Sequence, residues 1–235
     1  MSEISRLAGV LFEPTKAFED IAARPRWIVP MLLVIVAGMA YTALIGHRVG
    51  WERVVRQQVE SSSRAANLPA EQREQQIQVG ARIASIIGYI GPVLGAFIGA
   101  LLVAGVLTGV AAGIMSAGVK FKQVFAIVVY ASLTVVVTNI LSIVVLFLKN
   151  PDDFDVRNPL MFNPGAFMDP LNSSKFLYSL ASSLDLLVFW NIFLLATGLK
   201  AAAGKKLSFG GALFAVILPW AIYVFGKAAL APLTS

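Results

Sequence analysis

The chain reads as an all-α membrane protein, a bundle of five transmembrane helices preceded by an N-terminal amphipathic helical segment. Two observations predict this. Hydrophobic residues make up 57% of the 235 and charged residues only 14%, with a mean hydropathy of +0.77, whereas soluble domains carry about a quarter charged residues. The apolar residues also arrive in blocks of bilayer-crossing length, not in the short periodic runs of a soluble core.

Residues 1–26 form the amphipathic segment. Ile4, Leu7, Val10 and Leu11 recur at helical spacing, as do Phe18, Ile21 and Ala22 after Pro14-Thr15. Two arrangements fit this pattern equally: a stretch lying on the inner membrane surface, or a helix packed against the base of the bundle. Glu3, Glu13, Glu19 and Asp20 interrupt any continuous apolar run, which argues against a cleavable signal peptide. The first span then serves as its own insertion signal.

Residues 27–235 form the five-helix domain, with spans at about 27–46, 83–115, 124–148, 176–199 and 211–230. Four of them are near the ~20 residues that cross ~30 Å of hydrocarbon. The second is longer and still too short for two crossings, so it is read as one helix that starts in water or the head-group layer. Gly91-Pro92 is its expected kink. Between Trp51 and Gln78 the chain is rich in Gln, Glu and Arg, a solvated helical excursion. The fourth connection repeats Asn150-Pro151, Asn158-Pro159, Asn163-Pro164 and Asp169-Pro170, and each residue before proline is steered away from helix.

Charge orients the spans. The two shortest loops hold Lys120, Lys122, Lys200, Lys205 and Lys206 without an acid, and the N-terminal segment adds Arg6, Lys16, Arg24 and Arg26. The loop after the third span carries Asp152, Asp153, Asp155 and Asp169. The positive-inside rule places the N-terminus in the cytoplasm and the C-terminus outside. The arginine-rich 47–82 segment argues the other way, but its length and its mixed charge reduce its weight. Basic residues spread through loops suit anionic head groups better than nucleic acid. The expected surroundings are therefore the lipid bilayer, with a membrane-protein partner or a homo-oligomer and no nucleic acid.

Two features of the spans stand out. Gly91, Gly95, Gly99, Gly105, Gly109 and Gly113 fall within a sector of about 120° on one helix. Such a small-residue face lets another backbone approach closely in lipid. It reads first as an internal helix-packing seam, then as a homodimer face, then as the wall of a permeation path. Asp185 lies about nine residues inside the expected fourth span, where an unpaired carboxylate is costly. Asn139 in the third span comes to the same depth, so Asn139–Asp185 is the preferred intramembrane polar pair, with Thr138 and Ser142 as substitutes.

Nothing in the sequence points to a catalytic, cofactor or metal site. There is no cysteine, the single histidine (His47) has no triad or metal-binding neighbours, and the aspartates after the third span lack calcium-loop spacing. No phosphate loop, nucleophile elbow or HExxH occurs. The expectation is no enzyme and no cofactor.

Two stretches carry a family resemblance. Phe12-Glu13-Pro14-Thr15 leading into Pro25-Arg26-Trp27 and Pro30 resembles the opening of bacterial Yip1-domain proteins. Asp185, Trp190 and then Leu195-Ala196-Thr197-Gly198-Leu199 are similar to a later segment of the same family. The resemblance implies a five-span plan with a cytoplasmic N-terminus. Eukaryotic members serve vesicle traffic with Rab GTPases through a long N-terminal region that has no counterpart in these residues, so that role is not carried over. The function read here is a non-enzymatic integral membrane protein of the Yip1 type that organises membrane or partner proteins. The alternative is a small transporter or channel using Asp185 and Asn139.

Overall fold

In the computed structural model, residues 1–60, 62 and 68–234 are described, and they contain helices and loops without a strand. The helices are α1 (Glu3–Phe12), α2 (Pro14–Ala23), α3 (Ile28–Arg48), α4 (Trp51–Glu60) and α5 (Ala70–Thr108). After a π-helical turn (Gly109–Ile114) come α6 (Phe121–Ala131), α7 (Leu133–Leu148), α8 (Lys175–Ser183), α9 (Leu186–Ala203) and α10 (Phe209–Thr234). Five of the helical stretches are long and apolar enough to cross a membrane: 28–48, 70–114, 121–148, 186–206 and 209–233. The protein is an integral membrane protein.

The second span is longer than its apolar block. At 45 residues it reaches about 67 Å at ~1.5 Å per residue, so it extends well outside the hydrocarbon, and its polar first turns account for that extension. Pro92 lies inside the helix, and Gly38 of α3 makes room for its ring, since a Cβ there would stand 3.0 Å from Pro92 Cβ.

The fourth span corrects the sequence expectation. Residues 176–199 are not one helix, because the chain breaks at Leu184-Asp185 between α8 and α9. Ser182, Ser183 and Asp185 cluster there, and such side chains compete with the helical backbone and favour caps over helix interiors. Asp185 therefore immediately precedes α9 and does not lie nine residues inside a span. The third span is also interrupted, at Ser132.

The chain divides into two compact units, residues 1–36, 94–137 and 187–223, and residues 37–93, 138–186 and 224–235. The first holds the N-terminal helices and both basic loops. The second holds the acidic loop and the C-terminal end.

In the first unit, Val124–Ala131 of α6 are all buried, within a core that includes Phe18, Ile21, Ile127, Leu194 and Leu199. A helix buried on every face needs cover on every side, and the N-terminal helices supply part of it. The inner face of α5 here is an alanine ladder, with Ala100, Ala104 and Ala111 buried around Leu107. Small side chains let helices approach closely where lipid offers no hydrophobic drive.

The second unit is pinned by its extramembrane contacts. Ile45, Val49, Leu146 and Phe154 form its core. The turn from α3 to α4 uses Gly50 at φ +87°, a left-handed conformation that glycine adopts without strain. Trp51 then wedges against Gly46 and Gly88, where a Cβ would overlap its indole. Arg56 grips Glu74 at 2.9 and 3.0 Å, which ties α4 to the first turns of α5 and bears out the helical excursion. Gln57 donates to the Phe154 carbonyl at 2.9 Å and accepts from Val156 N at 3.3 Å, fastening the acidic loop. The centre of the excursion, 61 and 63–67, lies outside the described residues.

Candidate functional site

The densest polar constellation in the first unit joins the N-terminal helical hairpin to α6. Arg6 is only 2% exposed, and its Nε donates to Asp20 Oδ2 at 2.6 Å. Its Nη1 donates to Glu3 Oε1 at 3.3 Å. Tyr130, fully buried in α6, donates its hydroxyl to Glu3 Oε2 at 2.7 Å. Asp20 also pairs with Arg24. The hydrogen bond from Arg24, followed by that from Arg6, holds the Asp20 carboxyl well below its ordinary range against the opposing effect of burial. Burial disfavours the Arg6 charge, but its hydrogen bonds to Asp20 and Tyr130 outweigh it and leave its pKa raised. Each buried charge is thus paired, the condition under which charges persist in an apolar setting.

Apolar contacts seat the hairpin. Phe18 and Ile127 both border Gly198, where a Cβ would overlap Ile127 Cγ2 and stand 3.0 Å from Phe18 Cδ1. Gln123 donates to the Ala22 carbonyl at 3.0 Å and accepts from Lys120 N at 3.1 Å, linking the end of α2 to the start of α6. Of the two arrangements open for this segment, the structure therefore shows packing on the bundle. Gln123 and Tyr130 had no signal in the sequence beyond a polar atom at the start of one span and within it.

The family-motif positions fall into place around this seat. Pro14 starts α2, at a position where proline costs no hydrogen bond, and Thr15 follows it exposed. Trp27 meets Phe125 edge-on at 5.3 Å and Phe97 at 6.1 Å between ring centroids, with Pro30 buried just beyond. Trp190 packs against the core and Gly198 receives Phe18. Phe12 is the exception, at 81% exposed.

Asn191 is the intramembrane polar group that sequence reasoning passed over. Its Nδ2 donates to the Ala131 carbonyl at 2.9 Å and to Thr134 Oγ1 at 3.0 Å. Ala131 ends α6 at the Ser132 break, and a carbonyl freed inside a membrane must be re-satisfied by protein. Asn191 and Thr134, whose hydroxyl donates to the same carbonyl at 3.0 Å, do this. Asn191→Leu should destabilise the detergent-solubilised protein by about 1–3 kcal/mol, the cost of a buried group left unpaired, read as a lowered melting temperature. An unchanged melting temperature would show that the break is satisfied otherwise. The motif itself carried the signal: one amide in an otherwise apolar run.

A crevice of about 330 Å³ opens between α5, α9 and α10 in the same unit, lined by Leu102, Val106, Ile192, Val216, Trp220 and Tyr223, with Asn191 at its side. Its walls are apolar apart from that engaged amide and the Tyr and Trp polar tips, so it suits hydrocarbon.

In the second unit Asp185 belongs to a loop cluster. Asn163 Nδ2 donates to Asn158 Oδ1 at 3.1 Å and reaches Asp185 Oδ2 at 3.5 Å. Its Oδ1 accepts from Ala166 N at 3.1 Å. Leu186 N donates to the Phe162 carbonyl at 3.2 Å. These bonds fasten the Asn-Pro-rich loop to the start of α9. Asn139 and Thr138 lie half-buried in α7, and Ser142 is buried there.

The glycine sector of α5 lies roughly opposite its alanine ladder. A Cβ at Gly91, Gly95, Gly99, Gly105, Gly109 or Gly113 would meet nothing within 4 Å among the described residues. The internal seam expected of these glycines is carried by Ala100, Ala104 and Ala111 instead, and the glycine face is open. Among the described residues no group of three or more His, Cys, Asp or Glu side chains could hold a metal ion.

A comparison with protein families matches residues 8–230 to the Yip1 domain. No curated protein and no solved structure matches the chain significantly. The match runs from the N-terminal hairpin through all five spans, and the chain belongs to the Yip1-domain family.

Proposed function

We propose that this Yip1-domain protein is a non-enzymatic organiser of the membrane or of partner membrane proteins, acting by lateral helix contacts. One observation carries the reading: its longest helix packs inward through alanines and presents an open glycine face outward. Within lipid, helix association depends on close packing, which such a face permits. The occupant is another transmembrane helix, from a partner or from a second copy. By the positive-inside rule the hairpin and the basic loops are cytoplasmic and the C-terminus is outside; the resemblance of the opening segment to bacterial members assigns the membrane as the bacterial inner membrane.

A photo-cross-linker at Leu102, exposed within the glycine sector, should capture protein in native membranes. The same probe at Ala104, fully buried, should react only within the chain. Capture of lipid alone at Leu102 would overturn the reading.

Asp185 and Asn139 enter this proposal as structural groups, an Asn139–Asp185 hydrogen bond adding to the hold of Asn163. Asp185→Leu should lower stability or assembly, whereas Asp185→Asn should keep it, since the amide still hydrogen-bonds. Loss of a measured ion flux in both variants, with folding intact, would move the assignment to the transporter or channel alternative.

A further inference from the structure

The N-terminal hairpin carries a surface that the organiser reading does not use. Helix α1 is apolar on its outward face as well as its inward one. Its protein-facing side holds buried Arg6, Gly9 and Val10, while Ile4 and Phe12 are 80% and 81% exposed and Ala8 is exposed between them. At 100° per residue these three share a sector of about 80°. A helix facing water would present polar residues there. Exposed apolar faces of this kind mark a contact with a membrane or a partner.

Internal landmarks set the depth of the hairpin. Trp27, the residue before the first span, touches Phe125, and Phe125 stacks on Phe121 at 6.0 Å. Aromatic residues of this kind gather at the membrane–water boundary. Phe18 of α2 and Ile127 both border Gly198, and Ile127 is two residues further along α6 than Phe125, about 3 Å deeper by the helix rise. The hairpin therefore lies at the level where the first span enters the bilayer. Around it stand exposed cations: the side chains of Lys16, Arg24 and Arg26 are 76%, 61% and 74% exposed, and Lys122 and Lys205 are exposed on the adjoining loops.

We infer that the outward face of α1 is a lipid-contacting surface. Ile4, Ala8 and Phe12 lie on the acyl chains just below the head groups, and the surrounding Lys and Arg side chains draw anionic head groups to the hairpin. Apolar burial and attraction to anionic lipid act together in interfacial helices. The charge complementarity between this basic rim and an anionic leaflet selects lipid over a second copy, which would bring an equally basic rim against it.

The absence of cysteine permits a clean test on the full chain. Single cysteines at Ile4, Phe12 and, as a polar control on α2, Glu19 are labelled with an environment-sensitive fluorophore. The proteins are reconstituted in phosphatidylcholine vesicles with or without phosphatidylglycerol. Quenching by nitroxides attached to the acyl chains should be several-fold stronger at positions 4 and 12 than at 19, and stronger with phosphatidylglycerol. Arg26→Gln with Lys122→Gln should weaken the phosphatidylglycerol dependence and leave the basal quenching. Water-like emission at positions 4 and 12 would overturn the inference. So would probes shielded from water and nitroxides alike, or energy transfer between labelled copies, since either means that protein covers the face.

Discussion

Gly198→Leu should detach the N-terminal hairpin from the bundle, and Gly198→Ala should weaken its seat. A Cβ at this position overlaps Ile127 Cγ2 and crowds Phe18. Ile127 is β-branched and its methyl cannot swing aside without leaving its preferred rotamer. Overpacking of this kind costs about 1–3 kcal/mol, which exceeds or cancels the ~1 kcal/mol that alanine gains over glycine in a helix. Leucine, larger still, leaves Phe18 no room. The readouts are the melting temperature in detergent and proteolysis of the first two helices, which should become rapid in Gly198→Leu. Gly105 is the control, because its Cβ position is open and Gly105→Ala should be neutral or slightly stabilising. Equal behaviour at the two positions would contradict the packing described.

Arg6→Met should release the same hairpin by another route. Arg6 is buried between the carboxylates of Glu3 and Asp20, and removing one member of a buried charge cluster costs about 3–5 kcal/mol because the remaining charges lose their partner. Asp20 keeps Arg24, whereas Glu3 retains Tyr130 and a distant Arg26 at 3.8 Å. The loss should therefore be felt most at the Glu3 end, as protease cleavage within α1 before α2. Combining Arg6→Met with Glu3→Gln and Asp20→Asn should recover part of the stability, since it removes the stranded charges as well. A single variant as stable as the wild type would show that the cluster adds nothing to docking.

The architecture was legible in the sequence because apolar blocks of bilayer length have few other uses, and five such helices are found. The side-chain constellations were less so. Asp185 looked intramembrane because its flanks are apolar, yet Ser182 and Ser183 marked a helix break that composition alone does not weigh. Asn191 looked like one more motif residue because its partner is a backbone carbonyl freed at Ser132, and no side-chain pattern announces that. The glycines of α5 share one sector of the helix, but periodicity cannot say which side of a helix turns inward. Alanine, less conspicuous in sequence, does the inward packing. Arg6 was counted among the cations of the N-terminal segment for orientation, and its pairing with Glu3 and with Asp20 on α2 buries it.

The central claim is that the open glycine face of α5 recruits another membrane helix, and one comparison tests it most directly. Gly95→Leu with Gly99→Leu fills the face without touching anything in this chain, since neither Cβ has a neighbour within 4 Å. Proximity cross-linking in native membranes should return a specific partner set, or a second copy of this chain, for the wild type and lose it in the double variant at an unchanged melting temperature. The same captured set from both proteins would contradict the claim.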